Sequence, residues 1–222
     1  MMEELMKTEL LKIINSKRNK TLPEWTTPVE VHVEDTNEKV FDIIDTKPMG
    51  GSMFVAQGKG QASYFNGSGD TPYNLRFISY EQFLNQFNVC TYDGNGHTTT
   101  KDWAKGIDRP DYLCYTVGEN KYFIVHELSE GAVNSKRPKA KSQLANCLLM
   151  MKNSRKIMDY LNQFESRFCI LSAKGCVEAS PMGMADGFNE IYNNIPDPLP
   201  MKCATVERLG FEAYETKAVK LV

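Results

Sequence analysis

The stretch Arg109-Pro110-Asp111-Tyr112-Leu113-Cys114-Tyr115-Thr116-Val117-Gly118-Glu119-Asn120-Lys121-Tyr122-Phe123-Ile124-Val125-His126-Glu127-Leu128-Ser129 reads as two strands joined by a tight turn. Aromatic and β-branched residues fill both arms, and Gly118-Glu119-Asn120 supplies a short loop that tolerates positive φ. A hairpin centred on Glu119 sets Asp111 opposite Glu127, Leu113 opposite Val125 and Tyr115 opposite Phe123. Facing residues share one side of a sheet, with Cβ atoms roughly 4.5–5.5 Å apart. Two carboxylates that close repel, so one takes a proton or a cation sits between them. Both faces are otherwise apolar, which predicts a central strand pair covered on both sides. His126 falls on the face opposite Glu127.

Working outward, Ser79 to Phe87 predicts a helix of about two turns with Ser79 as its cap. Behind the hairpin, Glu130 to Pro138 reads as a loop and Pro138 as a helix start. Apolar residues from Leu144 to Phe164 recur at helical spacing, predicting one long helix over 139–164. Arg167 to Ser172 then reads as a short buried strand. The order helix, strand, strand, helix, strand predicts an α/β domain with a mixed central sheet.

The flanks carry weaker signals. Residues 1–16 predict an amphipathic helix. Val29–Glu34 and Val40–Ile44 read as a hairpin across a polar turn, and Ser52–Ala56 as a short strand within a glycine-rich mobile loop. That loop matches neither of the phosphate-cradling glycine patterns. Thr91 to Thr100 reads as a polar loop with an isolated His97. Gly175–Gly187 reads as a loop, Phe188–Asn194 as a short helix, and Cys203–Leu209 and Phe211–Val222 as edge strands.

Composition narrows the class. The chain has 222 residues, 41% hydrophobic and 24% charged, enough for one domain spanning 1–222 with a good core. The net charge of −2 gives no global pull toward nucleic acid or an anionic membrane, so such binding needs a local basic patch. No run of about 18 apolar residues predicts a membrane span, and the amino terminus lacks a signal-peptide pattern. The six cysteines are scattered without a Cys-x-x-Cys pair, which points to free thiols in a reducing cytoplasm.

Pro110-Asp111, an apolar strand, a turn and then Phe123-Ile-Val-His-Glu127-Leu128-Ser129 resembles the PD-(D/E)XK nuclease-like superfamily, over a core of about residues 79–172. The resemblance implies a restriction-endonuclease-like fold and Mg²⁺ (or Mn²⁺) held by Asp111, Glu127 and the carbonyl of Leu128. It implies hydrolysis of DNA phosphodiester bonds by a metal-activated water. The family's helix-start Gln-Leu pair has a counterpart in Gln143-Leu144. Lys136, Arg137, Lys139 and Gln143 gather at that helix start and would meet the nucleic acid. The chain departs from the pattern at Ser129, where the family has a catalytic Lys. Lys139 or Lys141 would have to replace it. Lys141 is favoured because it lies one turn from Leu144 and Ala145 and its stem can run along apolar surface. The plainer readings are a solvated basic helix start, a strand-start carboxylate and a salt-bridged Glu127. With them goes the alternative function, a non-catalytic structural or interaction protein on the same fold, such as a component of a viral particle or mobile element, with protein partners.

Overall fold

A computed structural model describes residues 1–45, 52–67, 71–176 and 195–222. It is a mixed α/β structure built on a seven-stranded mixed sheet. The strands, in chain order, are β1 (Val33–Thr36), β2 (Val40–Ile43), β3 (Phe54–Val55), β4 (Ala62–Asn66), β5 (Leu75–Ser79), β6 (Asn88–Tyr92), β7 (Thr98–Asp102), β8 (Tyr112–Thr116), β9 (Tyr122–Ala132), β10 (Ser166–Lys174), β11 (Leu199–Pro200), β12 (Glu212–Glu215) and β13 (Ala218–Leu221). The large sheet runs β1-β5-β8-β9-β10-β12-β11. Its β1, β5, β8 and β9 are antiparallel neighbours, while β10 runs parallel to both β9 and β12.

The central hairpin has the register that its turn demands. Leu113 pairs with Val125 and Tyr115 with Phe123. Alternation then sorts the side chains into two cores. Leu113, Tyr115, Phe123 and Val125 pack with the helices, whereas Tyr112, Cys114, Tyr122 and Ile124 pack against a second sheet, β13-β4-β2-β3. The hairpin is therefore covered on both faces, as its apolar content requires.

The amino-terminal helical run is α1 (Met2–Leu5), a π-helical turn (Met6–Leu10) and α2 (Leu11–Lys17). Met2, Met6 and Leu10, spaced by four, are all buried. The widened π turn keeps that spacing on one side, where 3.6 residues per turn would drift. Helix α3 (Tyr80–Asn85) starts after Ser79, although the Ser79 side chain makes no capping hydrogen bond.

Several local expectations are corrected. β9 runs on to Ala132 and passes straight into α4 (Val133–Met151), so the expected loop over 130–138 is strand end and helix, with Pro138 inside the helix. The single helix over 139–164 is two, because Ser154 accepts the Ile157 N–H and starts α5 (Arg155–Leu161) afresh. β1 and β2 do not pair with each other. β1 joins β5 in the large sheet, and β2 joins β3 and β4, where Phe41 and Ile43 reach the second core. Residues 203–209 form a helix, α6 (Ala204–Arg208), in place of a strand, and Glu207 reaches back to accept the Cys203 N–H. The polar stretch 91–100 lies within a β6-β7 hairpin. Part of the glycine-rich region is strand β4. The expected loop over 177–187 and helix over 188–194 lie outside the described residues, as do Gly50, Gly51 and Gly69. All six cysteines are free. Among the described residues no helix is long and apolar enough to cross a membrane.

Candidate active site

At one end of the hairpin the chain opens a cleft of about 490 Å³. Asp111, one residue before β8, and Glu127 on β9 both line it, and both are buried. The Leu128 N–H donates to Asp111 Oδ2 at 2.6 Å, which ties the first carboxylate to the strand carrying the second. Burial, then the charge of Asp111, pushes the Glu127 carboxyl up to about 9. Lys139 acts in the opposite sense, and so does a hydrogen bond from Gln143 Nε2 to Glu127 Oε2 at 3.2 Å.

Three further acids line the cleft, Asp45, Glu81 and Glu130, and local sequence pattern did not single them out. Glu81 lies in the first turn of α3, whose Tyr80 and Glu81 N–H groups point at the Asp111 carbonyl oxygen. Asp45 follows β2 of the second sheet, its N–H donating to Gln61 Oε1 at 2.6 Å. One carboxylate oxygen from each of Asp45, Glu81 and Asp111 falls within 4.8 Å of the others. An acid in the first helical turn was a visible signal for Glu81. Nothing near Asp45 marked it, because the contact closes between two sheets.

The basic side of the cleft comes from α4. Lys136, Lys139, Ala140 and Gln143 line it, following the i, i+3, i+4, i+7 stripe of one helix face. Lys141 is absent from that lining. At 3.6 residues per turn it lies on the far side of the helix from Lys139 and Gln143, on the stripe of Arg137, Leu144 and Ala145. The lysine facing the carboxylates is Lys139, which corrects the expectation of Lys141. Arg137 is also turned away. Its guanidinium makes a two-pronged ion pair with the buried Glu215 of β12, including Nη2 to Oε2 at 2.8 Å. Gln143 does not present its amide to an external ligand either. Nε2 donates to the Arg109 carbonyl and to Glu127, and the buried Oε1 has no hydrogen-bond partner. Leu128 and Ser129 line the cleft beside Glu127.

His126 lies on the other face, fully buried. Its Nδ1 meets Tyr64 Oη and its Nε2 meets Ser172 Oγ, both at 2.8 Å. Burial holds its pKa down at about 3, so the imidazole is neutral. It joins the two sheets and takes no part in the cleft.

The donor set suits a hard cation. Carboxylate oxygens are the ligands that Mg²⁺ and Mn²⁺ prefer, and a carboxyl with a strongly raised pKa would gain from a positive charge nearby. Comparison with protein-family models, with curated proteins and with solved structures returned no match.

Proposed function

We propose that the chain is a Mg²⁺- or Mn²⁺-dependent nuclease, hydrolysing DNA phosphodiester bonds on a restriction-endonuclease-like core. One observation carries the reading: five carboxylates from four separate chain segments, Asp45, Glu81, Asp111 and the β9 pair Glu127 and Glu130, converge on one cleft, and Lys136 and Lys139 also line it. Holding the buried Asp111 and Glu127 beside further half-buried acids is costly unless a cation or a charged substrate offsets the like charge. Asp111, Glu127, Glu81 and Asp45 would hold the metal, with the Leu128 carbonyl as a further oxygen. When bound, the metal would supply a more acidic water and offset charge on the phosphate.

The chain's own residues do the rest. Lys139 takes the place that Ser129 leaves without a cation and stabilises negative charge growing on the phosphoryl oxygens. Lys136 holds the substrate backbone at the cleft mouth. Gln143 fixes the rotamer of Glu127. The attacking water passes its proton to solvent as its oxygen bonds to phosphorus, the P–O bond to the 3′ or 5′ oxygen breaks, and that oxygen takes a proton from solvent. The free thiols agree with action in a reducing cytoplasm.

The test is a metal-dependent cleavage assay on single- and double-stranded DNA. Wild type should cut with Mg²⁺ or Mn²⁺, and Asp111→Ala should not. Cleavage that survives Asp111→Ala removes the site. Absence of cleavage in a folded wild type, under all metals, favours the non-catalytic reading.

A further inference from the structure

The ladder of β9 is interrupted just before α4. Ser129 pairs with Ala173 and Ala132 with Lys174, so Glu130 and Gly131 bulge out between β9 and β10. Bulges bend a strand and re-aim its side chains, and they are common beside active sites. Here the Gly131 N–H donates to Ser129 Oγ at 3.3 Å, and both bulge residues line the cleft.

A lysine lies on this bulge. A Cβ added at Gly131 would stand 2.2 Å from Cε of Lys136, 3.2 Å from Cγ and 3.3 Å from Cδ. These are its three nearest atoms, so the Lys136 stem rests on the glycine Cα, and an alanine there would drive the stem off. The backbone does not ask for glycine, because Gly131 has no positive φ. Among the described glycines the same holds for Gly94, which has open space around it, and Gly60, which presses on the Ile43 backbone. Of these three, Gly131 alone makes room for a side chain of the cleft.

Arg137 is locked to Glu215, whereas the Lys136 ammonium makes no ion pair among the described residues. The course of its stem therefore decides where the charge stands. Lys136 is half-buried and Lys139 exposed, as expected when only the first stem is pinned along the chain.

We propose that Gly131 is a positioning residue: its missing side chain, carried on the bulge, lets the Lys136 stem lie across the end of β9 and bring the ammonium to the cleft, where it meets a phosphate of the substrate backbone. The inference rests on the nuclease reading for its ligand, a nucleic-acid phosphate. A lysine held in one path has given up rotamer freedom before the substrate arrives, so less is lost on binding.

The experiment compares wild type, Gly131→Ala, Lys136→Ala and the double variant. Binding of a fluorescent DNA duplex is read by anisotropy over a range of salt in millimolar Ca²⁺. Losing one phosphate contact lowers the slope of log K against log salt by about 0.9. Gly131→Ala and Lys136→Ala should each show that loss, and the double variant should show it once. Amine labelling read by mass spectrometry follows the lysine itself. Lys136 should react faster in Gly131→Ala than in wild type, with Lys139 of the same molecule as the standard. Tm should not fall, because alanine at this position also restricts the unfolded chain. When wild type binds DNA, a wild-type slope in Gly131→Ala overturns the proposal. Wild-type labelling of Lys136 in that variant overturns it in every case. So does a loss of slope that adds to that of Lys136→Ala, or a fall in Tm that persists in the double variant, where the space beside residue 131 is cleared. Failure of the nuclease reading shows separately, as a wild type that neither binds nor cuts DNA while Lys136 labelling still rises in Gly131→Ala.

Discussion

Gln143 of α4 donates its side-chain amide to Glu127 of β9 at 3.2 Å, across the interface between the helix and the sheet. The bond orients the carboxylate and favours its charged form. Gln143→Leu should therefore raise the Glu127 pKa further. The acid limb of the pH profile for Mn²⁺-dependent cleavage should move to higher pH by up to about one unit, in the range expected on losing a single hydrogen bond to a charge. Initial rates from pH 5 to 9 in both proteins check this.

Lys139, and not Lys141, faces the carboxylates. Lys139→Ala should lower the cleavage rate by about 10²–10³, the usual loss for one transition-state electrostatic contact. Lys141→Ala should cut at the wild-type rate. Ser129→Lys should raise activity, because the ammonium would enter the cleft from β9 beside Glu127. Single-turnover cleavage with the three variants distinguishes them.

Metal should stabilise the fold. At a free Mn²⁺ concentration of about 100 times Kd, linkage adds about 2.7 kcal/mol. For a chain of this size that raises Tm by roughly 5–10 °C. Asp111→Ala and Glu81→Ala should abolish the rise in a thermal melt. A full rise in Glu81→Ala would remove α3 from the metal site.

Two buried groups shape the pH dependence of metal-free stability, with opposite signs. The raised pKa of Glu127 means the folded state keeps a proton that the unfolded chain releases above about 4.5. Its stability is full below that pH and is lost as pH rises through about 9. The lowered pKa of His126 means the unfolded chain takes up a proton first, at about 6.5. That stability is full above 6.5 and is lost as pH falls toward 3. Stability should thus be flat between about 4.5 and 6.5, where the two slopes cancel, and fall on either side. Glu127→Gln should flatten the alkaline limb and melt above wild type at pH 9 without metal. Denaturant titrations across pH 4 to 9 measure both limbs.

Arg137 closes over the buried Glu215 carboxylate. Arg137→Ala would leave that charge without its partner. It should lower the melting temperature by several degrees and change DNA affinity by less than about twofold, since the guanidinium does not line the cleft. Lys136→Ala should do the reverse, weakening DNA binding at unchanged Tm. Melting curves and anisotropy on the two variants separate fold support from substrate contact.

Local sequence chemistry was enough for the middle of the molecule. A tight turn at Gly118–Asn120 fixes which residues of the two arms face each other, and a period of two then decides the faces. The pairing of Leu113 with Val125, the shared side of Asp111 and Glu127, and the exile of His126 to the opposite core all follow from that turn. So does the burial of both hairpin faces, because apolar residues on both sides leave no side for water. Tertiary structure decided whatever depends on segments distant in the chain. Asp45 and Glu81 reach Asp111 only because a second sheet and a helix close onto the same end of the hairpin, and no local period encodes such a meeting. β1 and β2 look like a hairpin until each finds a partner in a different sheet, β1 beside β5, where Asp35 pairs with Arg76, and β2 beside β4, where Phe41 and Ile43 reach the second core. The choice of Lys139 over Lys141 turned on where α4 begins. Starting at Val133 and held against β9, the helix presents Lys136, Lys139 and Gln143 to the cleft, and helical rotation carries Lys141 out of reach.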